Sequence, residues 1–159
     1  MMKKFIPVFL TLCISLSCCA WAHAEETTEL RFGDDGKFTI LHITDPQDDQ
    51  AMAHELAGFL EKAIALAQPD LIVLTGDLVE DNRAGDVGTD DEPLKEGVLV
   101  KGSYEKTLAN TKTAVANIFA ILEESGIPYT VTQGNNDYNS EVTNEDWLAI
   151  YAQYPGCLA

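Results

Sequence analysis

PDLIVLTGD, residues 69–77, decides how the chain is read. Pro69 and Asp70 stop whatever helix precedes them, because proline cannot continue one. Leu71 to Thr75 is then an unbroken apolar and β-branched run without alternation, the composition of a strand buried in a parallel sheet. Gly76 and Asp77 end it with turn chemistry.

The same grammar repeats on both sides. Upstream, Met52, Leu56, Phe59, Leu60, Ala63, Ile64 and Ala67 recur at helical spacing, which predicts a helix over 51–68 capped by Asp48 or Asp49. Before it, KFTILHIT, residues 37–44, reads as a strand ended by Asp45-Pro46. Downstream, residues 79–102 are glycine-rich and acidic and read as a solvated loop, with a short hairpin around 98–100. A calcium loop starting at Asp81 fails, because Arg83 and Gly85 fall where ligands are needed. Ser103 caps a second helix through Glu124, its buried stripe formed by Leu108, Val115, Ile118, Phe119 and Leu122. Gly126 stops it. Residues 127–132 form a third strand, and Thr143 with Asp146 resembles a capping box for a last helix through Tyr154. Strand, helix, strand, helix, strand predicts an α/β fold with a parallel βαβαβ sheet.

Composition bounds the partners. The 159 residues carry a formal charge of −16. Lys3 and Lys4, the apolar run Phe5 to Ala20 and the small-x-small site Ala22-His23-Ala24 have the anatomy of a secretory signal peptide, residues 1–24. Pro7 and the polar residues in that run make it short for a spanning anchor. Cleavage removes Lys3, Lys4 and no acid, which takes the charge to −18. It also removes Cys13, Cys18 and Cys19, so Cys157 alone remains and no internal disulfide is expected. The expected product is exported, periplasmic or secreted, with no stable membrane association after cleavage. Its acidic surface repels nucleic acid. A polar lead, residues 25–36, precedes one domain, residues 37–159.

In parallel sheets, ligands gather beyond the carboxyl ends of the strands. The three predicted strands end at Asp45-x-Gln47, Gly76-Asp77 and Gly134-Asn135-Asn136-Asp137. Singly, each is ordinary turn chemistry. As an ordered set, they bring oxygen donors from distant segments to one edge.

ILHITDPQDD, PDLIVLTGDLVEDN, GIPYTVTQGNND and LAIYAQYPGCL resemble the calcineurin-like metallophosphoesterase superfamily, in its purple-acid-phosphatase-like bacterial and fungal branch. The likeness runs from about Lys37 to Leu158 and implies the N-terminal half of a metallophosphoesterase α/β sandwich. It further implies an exported phosphoesterase that hydrolyses phosphate esters with a metal-activated water between two divalent ions (Mn, Fe, Zn or Mg). By that resemblance Asp45 binds the first ion, Asp77 bridges both, Asn135 binds the second, and Gln47 takes a ligand position usually held by histidine. Asn136 stands at the position of the usual general-acid histidine, with Asp137 orienting it.

Two departures follow. A glutamine oxygen is a harder ligand than imidazole and leans the site toward manganese or magnesium. An amide at 136 cannot donate a proton, and loss of a general acid costs on the order of 10²–10⁴-fold. The family also completes its centre with an isolated histidine and a Gly-His-x-His motif beyond the Gly-Asn-x-Asp loop, and this sequence holds neither. His42, inside the first strand, is expected to be a packed or hydrogen-bonded core residue. His54 is expected on the helix surface. The expectation is therefore a truncated N-terminal portion, with the apolar edge of its half-sheet exposed. The alternative is an inactive remnant or pseudoenzyme that at most binds a cation or phosphate.

Overall fold

Leu71–Thr75 forms the central strand β2, flanked by β1, Ile40–Ile43, and β3, Tyr129–Thr132. Both pairings are parallel, and the register aligns Leu41 with Ile72 and Tyr129, and Ile43 with Leu74 and Val131. The computed structural model describes residues 29–79, 103–139 and 142–158. The expected signal segment and nearly all of the acidic loop lie outside the described residues, as do residues 25–28 of the lead.

The strands are joined by α1, His54–Ala67, and α2, Tyr104–Ser125, which pack against each other. The aligned rows point toward them. Ile72, Leu74 and Tyr129 are fully buried against Leu60 of α1 and Val115, Ile118, Phe119 and Leu122 of α2. The Phe119 ring meets Tyr129 edge-on with centroids 4.9 Å apart, a favoured aromatic geometry.

The other face of the sheet is uncovered by these helices. Ile40 is 54% exposed, and His42 and Thr75 are also exposed. The strand reading of 71–75 holds in its bounds, but burial alternates along β2 with Ile72 and Leu74 as its fully buried positions. His42 is correspondingly no core residue. It sits on the open face and its Nε2 pairs with Thr75 Oγ1 at 2.6 Å. His54 is exposed, as expected.

Local chemistry sets the element ends. Ser103 accepts from the Lys106 amide at the start of α2, and Gly126 stops it at φ 68. Helix α1 starts later than expected, with Ala53 at the cap and no side-chain bond there. Asp48 instead reaches forward to accept from the Ala53 amide at 2.9 Å, and Asp49 accepts from Ala51 at 2.7 Å, which builds a turn before the helix. Phe59, placed on the buried stripe by periodicity, is 56% exposed. Leu60 and Ile64 are the buried residues of α1, and Leu56 packs partly buried against the core.

Beyond β3 come a five-residue helix α3, Asn135–Asn139, and α4, Asn144–Tyr151. Helix α4 begins with both halves of the Thr143–Asp146 capping box. After α4 the chain returns to the start of β3, in a parallel bridge between Tyr129 and Cys157. Gly156 O accepts from Tyr129 N at 2.9 Å, and Tyr129 O accepts from Leu158 N at 2.7 Å. Glu123 Oε1 braces this return by accepting from the Tyr129 hydroxyl and from Gly156 N. The start of the β3 edge, expected to be bare, is therefore covered by the tail. Among the described residues no helix is long and apolar enough to cross a membrane.

Candidate metal centre at the carboxyl edge

Each strand hands its chain to a loop at the same end of the sheet, and the loops touch through their backbones. Asp45 N donates to Gly76 O at 3.2 Å, Gln47 N to Asp77 O at 2.9 Å and Asp48 N to Leu78 O at 3.2 Å. The pairing of β1 with β2 thus continues past the strands and ends in a bridge between Asp48 and Val79. The β2 and β3 loops approach still more closely. A Cβ on Gly76 would lie 2.4 Å from Gly134 N, and one on Gly134 would lie 2.0 Å from Asp77 Oδ1. Glycine is required at both positions because the facing atoms are backbone and a held carboxylate.

The expected site residues differ in how they are held. Asp45 and Gln47 are exposed, Asp77 is 6% exposed and Asp137 is fully buried. Asp77 Oδ1 accepts from Asn136 N at 2.9 Å, and its Oδ2 faces Gln47 Nε2 at 3.4 Å. Segments around 47, 77 and 136 therefore converge on one carboxylate. The exposed Asn135 turns its amide nitrogen to Asn136 Oδ1 at 3.0 Å.

Backbone conformation marks the same residues. Asp45, Gln47 and Asp77 stand at φ 54, 44 and 51, and Gln68, at the end of α1, is the remaining non-glycine residue at positive φ among those described. Left-handed backbone costs an L-residue roughly 1–2 kcal/mol. Such strain persists where surrounding structure over-determines it, and it clusters at functional sites.

Asp137 lies beneath. Its Oδ2 accepts from Leu78 N at 3.2 Å and Gly134 N at 2.9 Å, and its Oδ1 accepts from Val79 N at 3.2 Å. Burial pushes this carboxyl above the usual range; the three amides pull it back, and the charge of Asp77 adds to the rise. The buried Tyr151 hydroxyl has its acidity lowered by burial first and by the charge of Asp137 second.

The donors present are hard oxygens, two carboxylates and two amides, which suit magnesium- or manganese-class cations. Among the described residues no three His, Cys, Asp or Glu side chains converge to hold a metal ion. Gln47 and the Asn136 amide meet at Asp77, whereas the Asp45 side chain pairs with Thr44 and that of Asn135 with Asn136, so the match to a cation is one of donor type. Sequence reading missed Asp48 as a buried carboxylate shaping the first loop, and His42–Thr75 as a pair on the open face. Polar Thr75 at the end of the apolar run carried a signal for the second, and Asp48 was marked in the sequence as a helix cap, not as a buried carboxylate.

The family profile described as Calcineurin-like phosphoesterase matches residues 38–156. A curated relative, "Probable inactive purple acid phosphatase 14" of Arabidopsis thaliana, is 28% identical over 164 aligned positions, covering 93% of this chain and 35% of the relative. The chain thus spans about a third of the length of that protein. No solved structure matches significantly. With most of its length matched, from the strand before Asp45 to the tail that returns to β3, the chain belongs to the calcineurin-like phosphoesterase family.

Proposed function

We propose that this chain forms one wall of an exported, metal-dependent phosphoesterase centre, with Asp45, Gln47, Asp77 and Asn135 as the metal-facing donors. The observation that carries the reading is the left-handed backbone at Asp45, Gln47 and Asp77 together. Three costly conformations in three donor positions are hard to account for by folding alone. When bound, divalent ions in this family's centre supply a nucleophilic water at neutral pH and neutralise phosphoryl oxygens.

This chain's own residues would do the rest. Asp45 and Asp77 bring negative charge to the strand edge, and Asp77, held by Asn136 N, is fixed before any ligand arrives. Gln47 and Asn135 each have one amide oxygen to offer, and both must turn that oxygen toward the cation. Asn136 can donate a hydrogen bond to a phosphate ester but not a proton.

A second reading is favoured by Asn136 itself, and by the relative, a protein named as probably inactive. In that reading the chain binds a cation or phosphate without turnover. One titration separates the two: manganese added to the protein, with thermal unfolding and hydrolysis of an aryl phosphate followed together. A rise in both, abolished by Asp77→Ala, supports the hydrolase. A rise in melting temperature without turnover supports the second reading, and no response to manganese removes the hydrolase and leaves only phosphate binding.

A further inference from the structure

The geometry points to Asp137 as a positioning residue that fixes the Asp77 carboxylate through the backbones of two loops. The inference rests on the proposed role of Asp77 as a metal-facing donor.

Past the ends of β2 and β3, at Thr75 and Thr132, backbone amides of both loops bond to a side chain instead of a neighbouring strand. Buried amides without partners are costly. Asp137 accepts from three amides, those of the buried Leu78 and Val79 and of the partly buried Gly134, across 59 and 58 residues of sequence for the first two. Leu78 is bonded directly to Asp77. Gly134 leads into Asn136, whose amide holds Asp77 Oδ1 at 2.9 Å. The linkage closes on itself: Asp137 grips the backbone on both sides of the carboxylate that Asn136 holds.

The residue type suits the task. A carboxylate offers two oxygens and about four lone-pair positions, enough for three converging donors. Asparagine has one acceptor oxygen and would turn an NH2 group toward an amide N–H. An Asp137→Asn chain thus keeps the shape and loses the grip. Partners that orient metal ligands without touching the metal typically contribute about 10- to 100-fold in metal affinity.

The test compares Asp137→Asn with Leu122→Ala, a core truncation in α2. Amide hydrogen exchange is read in metal-free protein, and manganese affinity by calorimetry at a temperature where all chains are folded. Asp137→Asn is expected to speed exchange at Asn136, an amide that Asp137 does not hold, by about tenfold or more, and to weaken manganese binding by about 10- to 100-fold. Leu122→Ala should leave manganese affinity within about twofold, as distant sites act independently. Unchanged exchange at Asn136, or manganese binding equal to the parent chain, overturns the assignment. If the parent chain binds no manganese, the proposed function falls while exchange at Asn136 still decides the positioning. Should Asp137→Asn not fold, Asp137→Ser, which keeps one hydroxyl acceptor, is read the same way. Failure of both to fold beside a folded Leu122→Ala makes Asp137 a purely structural residue and overturns the inference.

Discussion

The layer under the sheet and the loops at its carboxyl edge follow opposite rules. Under the sheet, Leu60, Ile72, Leu74, Ile118, Phe119 and Leu122 are fully buried on regular helix and strand backbone. At the edge, Asp45, Gln47 and Asp77 carry polar side chains on left-handed backbone, and two glycines are pressed together. The first region gains free energy from apolar burial. The second costs free energy and is held in place by hydrogen bonds that run back into the fold. A core truncation is therefore expected to change stability alone, and a substitution at the edge to change stability and the response to manganese together.

The largest effect should come from the core. Phe119→Ala removes the ring that meets Tyr129, Tyr151 and Tyr154 and is expected to cost about 3–5 kcal/mol in urea unfolding. If the regions are separable, whatever stays folded keeps its response to manganese.

Gly134→Ala attacks the edge. Its Cβ would meet Asp77 Oδ1 at 2.0 Å, so the loops must part. A loss of about 1–3 kcal/mol is expected, together with loss of any manganese-induced shift in melting. An alanine chain that unfolds and responds like the parent would break the comparison.

Gln47→Gly sharpens it with the opposite sign. Glycine adopts φ 44 without the cost glutamine bears, so metal-free protein should gain up to about 1 kcal/mol. The same change removes an amide donor and should weaken manganese binding. A chain destabilised without metal would show that Gln47 is held by packing rather than strained for function.

The smallest effect is a pH dependence remote from the site. The hydroxyls of Thr143 and then Tyr104 hold the Asp146 carboxyl below its ordinary value in the folded chain. Such a group contributes stability above its unfolded value, near pH ~4, and loses it as pH falls through the folded value. Asp146→Asn should therefore melt below the parent chain at neutral pH, and the gap should close in acid. A constant gap would assign the capping box no ionic part.

Much of the fold was legible because its signals are local. The run Leu71 to Thr75, Ser103 and Gly126 around α2, and the Thr143–Asp146 box each act within a few residues, and each appears in its expected place. The errors arose where a local signal has two outcomes. An unbroken apolar run fits a strand covered on both faces, yet the placement of α1 and α2 covers one. That leaves His42 in the open beside Thr75. Helical periodicity admitted Phe59 to the buried stripe, but α2 meets α1 over a narrower face. The last loop, read as turn chemistry, begins the short helix Asn135–Asn139.

The candidate site was legible as an ordered set of residue types, Asp45, Gln47, Asp77, Asn135, Asn136 and Asp137, because strand ends in a parallel sheet share one edge. By itself the sequence determined the elements, their order and which chemistry reaches that edge, since all three follow from periodicity and turn residues. Only the tertiary structure decided that Asp137 grips three amides, that Gly76 and Gly134 must be bare, and that three donors bear left-handed backbone. Those properties belong to contacts between segments 30 to 59 residues apart, and no pattern within any one segment specifies the distance at which two will meet.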